Sequence, residues 1–221
     1  MSDTAESSPS AVELVPASSA GKWRVFLIVA ALSFIADQAT KIWARGSLPV
    51  VRHQGDAACI VPGDIVNRTC TGHPVSVVDG LWEWRLSMNP GSAFGLFSQS
   101  PGSARIFLSV VGLIAVFGML WMLRKARPDQ RILHWALALV TGGAIGNLVD
   151  RMYFGVVTDF ILWRYKTYEW PVFNVADIVL VVGVGLMFID IQKEGSREKA
   201  LKASREARAK QAGLVKAFGD K

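Results

Sequence analysis

The 221-residue sequence has few of the residues that most often carry metal or redox chemistry. It contains only two cysteines and three histidines, and the histidines are scattered along the chain as His53, His73 and His134. It has neither a zinc-ligand spacing nor a glycine-rich phosphate loop. The sequence therefore disfavours metal catalysis, and we expect no metal site and no cofactor.

Charged residues are also scarce, at 19% of the chain, whereas hydrophobic residues make up 51%. There are eight tryptophans, and the mean hydropathy is +0.32. An ordinary soluble domain of this size is less apolar than this. The composition therefore predicts a membrane protein that crosses the bilayer several times.

Four apolar stretches are long enough to span a hydrocarbon core, which takes about 20 helical residues. They are residues 23–44, 104–123, 132–152 and 172–191, which together define a membrane domain over residues 23–192. The first stretch is too long for a cleaved signal peptide and lacks a small-residue cleavage site, so we interpret it as a retained anchor.

Two polar segments flank this domain. Residues 1–22 are rich in Ser and Ala without periodicity and are predicted to be disordered. Residues 193–221 are charged and rich in Ala, which predicts a soluble cytoplasmic tail able to form a solvated helix.

Basic residues near the span ends predict the orientation of the chain. They are Lys22 and Arg24 before the first span, Arg124, Lys125, Arg127 and Arg131 between the second and third, and nine after the fourth. These three regions, and with them both termini, are expected on the cytoplasmic side. The connections 45–103 and 153–171 are then on the outer side. Topology accounts for the net charge of +6, which gives no support for nucleic-acid binding.

Both cysteines, Cys59 and Cys70, fall in the outer loop 45–103. Thiols on that side of a bacterial membrane can be oxidised, and a disulfide closing this loop is chemically reasonable. No feature of the sequence excludes free thiols, so both states remain open.

The outer loop also contains "VSVVDGLWEWRLSM", residues 75–88, in which apolar and polar residues alternate around an Asp-Gly turn. This pattern predicts a β-hairpin. The predicted fold is a mainly α membrane protein with four transmembrane helices and a small β-platform on the outer (periplasmic) face.

Polar residues of the spans and their connections converge on the outer interface. They are Asp37, Gln38, Lys41, Asn147, Asp150, Arg151, Asp159, Asn174 and Asp177. An ionisable side chain costs roughly 2.5–3.5 kcal/mol at the centre of a membrane helix and less near the interface, so each needs a partner or a purpose. Singly, some have ordinary explanations, such as a surface salt bridge between Asp37 and Lys41 or an N-cap at Asn174. Their shared level indicates a functional site.

Glycines mark two further features. Gly142, Gly143 and Gly146 form a small-residue surface that another helix or an extended peptide can approach closely. Helix packing alone would explain two of them. In the outer loop, the Asn89-Pro90-Gly91 run is a turn signal, for which an ordinary β-turn at the membrane surface is the simplest explanation.

Four motifs resemble those of lipoprotein signal peptidase, the bacterial intramembrane aspartyl peptidase also called signal peptidase II. They are "DQATK" (37–41), "NPGSAFGLF" (89–97), "GGAIGNLVDRMYFGVVTDFI" (142–161) and "FNVADI" (173–178), and their order and spacing fit the family over residues 23–192. The chain departs from the family at Pro90, where Thr is common, and in the stretch 49–79, which is longer than expected.

The resemblance implies that Asp159 and Asp177 are the catalytic pair of an aspartic endopeptidase. The matched residues Asp37, Lys41, Asn89, Gly91, Gly143, Asn147, Asp150, Arg151 and Asn174 would bind substrate or support the site. The implied substrate is a diacylglyceryl-modified prolipoprotein, cut just before its lipidated cysteine. Cyclic peptides of the globomycin type are the implied inhibitors, and the expected location is the bacterial inner membrane, with the enzyme as a monomer.

Two other classes of membrane protein are alternatives to a peptidase. A small proton-coupled transporter would spread charges through the membrane depth, whereas the inner halves of these four spans are almost wholly apolar. A non-enzymatic scaffold assembled through its glycines would leave Asp159 and Asp177 without a role.

Overall fold

The computed structural model describes residues 19–51, 71–91 and 101–219. These residues form four helices, α1 (Ser19–Ser47), α2 (Pro101–Lys125), α3 (Arg131–Tyr153) and α4 (Val175–Gly219). All four are long and apolar enough to cross a membrane. Large apolar side chains such as Leu32, Phe117 and Val181 are more than 60% exposed on their surfaces. A surface of this kind is stable against lipid rather than water, so the predicted four-helix membrane fold is confirmed.

Helix α3 lies at the centre of the bundle and is mostly buried, whereas α2 is almost entirely exposed. Its glycines explain how two helices approach it closely. A Cβ on Gly142 would lie 2.7 Å from the carbonyl oxygen of Ala30 in α1, and one on Gly143 would lie 2.7 Å from that of Ala176 in α4. At these two glycines the close neighbour is therefore another helix.

The predicted outer hairpin is present and belongs to a four-stranded antiparallel sheet. Its strands are β3 (Val75–Val78), β4 (Trp82–Asn89), β5 (Val157–Tyr165) and β6 (Tyr168–Glu169), in that order across the sheet. A separate pair joins β1 (Val50–Val51) to β2 (Thr71–Gly72). Gly80 has φ +71° in the turn between β3 and β4, a conformation that favours glycine.

The connection between α3 and α4, for which the sequence analysis predicts no strand, contains strand β5. It pairs with β4 from Trp82↔Trp163 to Asn89↔Val157. The β-branched and aromatic residues of its sequence, VTDFILWRY, favour a strand, and its first six residues are buried. Asp159 therefore lies on a rigid strand rather than in a loop.

Two helices extend past the predicted spans. Helix α1 begins at Ser19, so the last four residues of the segment expected to be disordered are helical. Helix α4 begins at Val175 and continues to Gly219, so the charged tail forms one helix with the fourth span. The loop before α3 holds the start of this extension through ion pairs of 2.6 Å, from Arg127 to Glu194 and from Arg197 to Asp129.

Cys59 and Cys70 lie outside the described residues, as does most of the stretch 49–79. Their pairing remains a prediction.

Candidate active site

The C-terminal halves of α1 and α3 hold a group of completely buried charges. Lys41 Nζ lies 2.8 Å from Asp37 Oδ2 and 3.6 Å from Asp150 Oδ2, and all three side chains are fully buried. Asp150 also contacts the backbone of β5, because Thr158 N donates to Asp150 Oδ2 at 2.8 Å. The Asp37–Lys41 pair is thus an interior ion pair and not a surface salt bridge.

Asn174 and Asp177 begin α4 with a reciprocal pair of hydrogen bonds. Asp177 N donates to Asn174 Oδ1 and Asn174 N donates to Asp177 Oδ2, both at 3.1 Å. This is the geometry of a capping box, which satisfies helix-terminal N–H groups. Asp37 accepts a third N–H of this terminus, from Ala176, at 2.9 Å. The cap holds the Asp177 carboxylate at the positive end of the helix dipole, which favours a negative charge.

Asn147 connects this helix terminus to the buried charges. Its Oδ1 accepts from Lys41 Nζ at 2.8 Å and from Asn174 Nδ2 at 3.1 Å. Its Nδ2 donates to Asp177 Oδ1 at 3.0 Å. Both Asp177 oxygens therefore accept a hydrogen bond from a positioned donor.

Asp159 projects from β5 toward the same residues. Asn174 Nδ2 donates to its Oδ1 at 2.7 Å, and Asn89 Nδ2 donates to its Oδ2 at 3.0 Å. The side chain is only 2% exposed. Burial, with a further contribution from the charge of Asp177, raises the pKa of Asp159 to about 7. Asn174 thus bonds to both aspartates, and one of them titrates near neutral pH.

The Asn-Pro-Gly run is a turn that positions Asn89. Gly91 N donates to Asn89 Oδ1 at 2.9 Å, which leaves the amide Nδ2 directed at Asp159. Gly91 has φ +100°, and a Cβ there would lie 2.8 Å from Leu108 Cδ1. Glycine is therefore required at this position for both conformation and space.

The guanidinium of Arg151 uses one terminal nitrogen as a hydrogen-bond donor, but not its Nε. One of its terminal nitrogens donates to the backbone oxygen of Asn147 at 3.3 Å. Its Nε is buried and has no hydrogen-bond partner in the described parts of the chain. A buried donor of this kind is costly unless something binds to it.

Three residues that were not predicted as site residues also lie with these buried charges, namely Arg45, Thr158 and Gly146. Arg45 donates to Thr158 Oγ1 at 2.8 Å and lies 3.6 Å from Asp150 Oδ1. It follows Lys41 by four residues, as Lys41 follows Asp37, and this repeated spacing on one helix face was the available signal. Gly146 is required because a Cβ there would collide with the Asp37 carboxylate.

The chemistry open to this arrangement is proton transfer between water and a carbonyl substrate. Two carboxyl groups in a site of low dielectric do not readily ionise together, so one retains a proton while the other is an anion. Within residues 19–51, 71–91 and 101–219, no three His, Cys, Asp or Glu side chains are arranged as metal ligands.

The chain matches the family model of Signal peptidase (SPase) II over residues 29–193. A lipoprotein signal peptidase of Geobacter metallireducens is 35% identical over 176 residues, which cover 80% of this chain and 95% of that protein. Another, of Syntrophotalea carbinolica, is 33% identical and covers 81% of this chain and 98% of that protein.

Solved structures described as bacterial membrane enzymes share the fold. One superposes with a TM-score of 0.60 at 24% identity, covering 79% of this chain and 91% of its own. A second has a TM-score of 0.57 at 24% identity, covering 76% of this chain and 92% of its own.

Proposed function

Because the chain belongs to the signal peptidase II family, we propose that Asp159 and Asp177 are the catalytic pair with which it cuts prolipoproteins. As a member of that family it is a membrane protease that removes signal peptides from prolipoproteins. The observation that carries the assignment is Asn174, which donates to Asp159 and exchanges two hydrogen bonds with Asp177. One residue thereby donates to both carboxyls, through its side-chain amide at Asp159 and through its backbone N–H at Asp177.

In the proposed reaction the two aspartates share one proton. The ionised carboxylate takes a proton from water, and the protonated carboxyl polarises the scissile carbonyl. Water adds to that carbon to give a tetrahedral intermediate. Collapse of the intermediate breaks the C–N bond, and a proton passes to the leaving amine. The proton belongs to the pair as a unit, so neither residue alone is assigned as the base.

The remaining site residues support this pair and hold the substrate. The buried Asp37, Lys41 and Asp150 fix α1 and α3 against β5 and α4. The Nε of Arg151, which has no partner among the described residues, is a donor for a carbonyl of the substrate backbone. Gly143 keeps α3 close to the start of α4, where Asp177 lies.

The substrate is a prolipoprotein whose cysteine already carries diacylglycerol, cut just before that cysteine. A site at the outer ends of the helices lets the acyl chains remain in the bilayer while the signal helix packs beside the spans. We place the enzyme in the bacterial inner membrane, with both termini cytoplasmic, as a monomer. Cyclic peptides of the globomycin type would occupy the same groove.

The test measures how fast the Asp159→Asn and Asp177→Asn variants cleave a diacylglyceryl-modified prolipoprotein. Each is expected to abolish cleavage while the protein still inserts in the membrane. Asp190→Asn is the matched control, because Asp190 is a buried aspartate near the opposite end of the span formed by α4. Near-normal turnover by either site variant would overturn the pair, and equal loss in all three would show a general effect of removing a buried carboxylate.

A further inference from the structure

A cavity lies at the end of the bundle away from the two aspartates. It has a volume of about 460 Å³ and is lined by the first turns of α1 and α3 and the link before α3. The lining includes the cations Lys22 and Arg131 with His134 and Trp135. Fifteen residues of helix separate Lys22 from Asp37, about 22 Å along α1. The cavity is therefore separate from the proposed catalytic site.

Lys22 is a buried cation without a counter-ion among the residues that the structure describes. Its side chain is only 9% exposed. Its ammonium donates to the backbone oxygens of Arg124 at 3.1 Å and Ala126 at 2.8 Å. Within the described ranges it forms no ion pair with a carboxylate. Neutral carbonyls compensate a buried charge only in part, so an anion in the cavity would be stabilised here.

Three acidic groups at this end have partners outside the cavity lining, and one of them, Asp190, accepts a hydrogen bond from Gln130 at 3.3 Å. Glu194 pairs with Arg127, and Asp129 pairs with Arg197, both at 2.6 Å. Arg131, which lines the cavity, has no ion pair in the parts of the chain that the structure describes. The lining cations Lys22 and Arg131 thus have no ion pair among the described residues, whereas two of the three acidic groups are neutralised by arginines.

The surroundings of the cavity suit a lipid. Trp135 lines it and is 50% exposed, and tryptophan is enriched where a helix meets the membrane interface. Val25 also lines the cavity, and Ile28 and Leu32, the next residues along that face of α1, are about 60% exposed. A headgroup in the cavity would therefore let its acyl chains lie along an apolar helix face.

We propose that this cavity binds the phosphate headgroup of an anionic phospholipid, with Lys22 and Arg131 as its cationic contacts. Basic pockets between membrane helices on the cytoplasmic side are a known arrangement for such headgroups. The site would anchor the inner end of the bundle, and it goes beyond the proposed peptidase activity. It does not depend on the assignment of Asp159 and Asp177.

The experiment measures thermal unfolding of the full-length protein in phosphatidylcholine nanodiscs with and without phosphatidylglycerol. Phosphatidylglycerol is expected to raise the Tm of the wild-type protein by about 2–4 °C, the shift that a contribution of about 1 kcal/mol gives in a chain of this size. Arg131→Gln should lose most of that rise. Arg127→Gln, which removes the same charge from an arginine already paired with Glu194, should keep it.

Three outcomes would overturn the proposal. One is the absence of any rise in the wild-type protein. Another is an equal loss in Arg131→Gln and Arg127→Gln, which indicates diffuse attraction to a charged surface. The third is an equal rise when inorganic phosphate is added to phosphatidylcholine nanodiscs, which indicates a site for a free anion. Peptidase turnover of Arg131→Gln in phosphatidylcholine should match the wild type, which separates this test from that of the catalytic pair.

Discussion

Lys41 holds the side-chain amide of Asn147 in one orientation. The Lys41 ammonium lies 2.8 Å from Asn147 Oδ1, and an ammonium can only donate. The oxygen must therefore face Lys41, and the amide nitrogen must face Asp177, to which it donates at 3.0 Å. Lys41 thus orients a hydrogen bond to one proposed catalytic carboxylate through the amide of Asn147.

We expect Lys41→Met to lower kcat by at least tenfold and to destabilise the protein. Removing the cation leaves Asp37 buried without its ion-pair partner, a change that costs roughly 3–5 kcal/mol. The oxygen of the Asn147 amide also loses its charged donor and keeps only the hydrogen bond from Asn174 Nδ2. Turnover and thermal unfolding of the purified variant measure the two effects.

The double variant Asp37→Asn/Lys41→Met separates positioning from stability. It removes both charges of the pair, so most of the lost Tm should return, whereas kcat should stay low because Asn147 still lacks the Lys41 ammonium that orients its amide. Recovery of kcat together with Tm would show that Lys41 contributes only to stability.

The raised pKa of Asp159 predicts how activity depends on pH. With a pKa of about 7, caused first by burial and then by the charge of Asp177, the carboxyl keeps its proton below pH 7 and loses it above. Catalysis by a pair that shares one proton requires that proton. We therefore expect kcat/KM to fall about tenfold per pH unit on the alkaline side of about pH 7.

Asn89→Ala should move the alkaline fall of kcat/KM to higher pH. Asn89 donates to Asp159 and so favours the ionised form, and its loss raises the pKa further. Ser87→Ala is the control, since Ser87 lies opposite Asp159 on the neighbouring strand without donating to its carboxylate. An alkaline fall of kcat/KM that stays in place in Asn89→Ala, or moves to lower pH, would contradict its assignment to the pair of Asp159 and Asp177.

Gly143→Ala should reduce both turnover and stability. The added methyl would lie 2.7 Å from the backbone oxygen of Ala176 and 2.9 Å from Val179 Cγ2. The start of α4 must then move, and Asp177 moves with it. Overpacking of this kind costs about 1–3 kcal/mol.

The matched control for this prediction is Gly185→Ala, on α4, where nothing lies within 4 Å of an added Cβ. It should leave turnover and Tm close to the wild type. Equal effects of the two substitutions on turnover and Tm would show that crowding around Gly143 is not their cause.

The helices and the first hairpin were predictable because their signals are local. An apolar run of about 20 residues indicates a membrane helix, and an Asp-Gly turn between alternating residues indicates a hairpin. Strand β5 was missed because its partner, β4, is about 70 residues earlier in the chain. The extension of α4 was predictable as a helix, but its attachment through Arg127 and Glu194 depends on the tertiary fold.

The site shows the same division. Motif resemblance identified the residue types, but the motifs do not say which atom each side chain faces. That Asn174 would contact both aspartates depends on how β5 meets the start of α4. Arg45 was missed although its spacing from Lys41 was visible, because its partner Thr158 lies on the unpredicted strand.

The proposed orientation predicts which residues a membrane-impermeant maleimide reaches in intact cells. In a background of Cys59→Ser and Cys70→Ser, Asp79→Cys should be labelled from outside, since Asp79 is exposed in the turn between β3 and β4. Ser204→Cys, exposed on the extension of α4, should be labelled only after lysis. The reverse pattern would overturn the orientation and the placement of the site at the outer interface.

Arg151→Lys should weaken substrate binding more than it slows the chemical step. Lysine keeps the positive charge but lacks the buried Nε donor, which has no partner in the described part of the protein and is proposed to bind a substrate carbonyl. A hydrogen bond to a charged donor contributes about 1.5–3 kcal/mol, so kcat/KM should fall roughly 10- to 100-fold, mainly through KM. Arg164→Lys is the matched control, because Arg164 also has a buried Nε without a partner among the described residues but lies further along β5. A fall confined to kcat, or an equal fall in both variants, would show that the Nε of Arg151 does not hold the substrate.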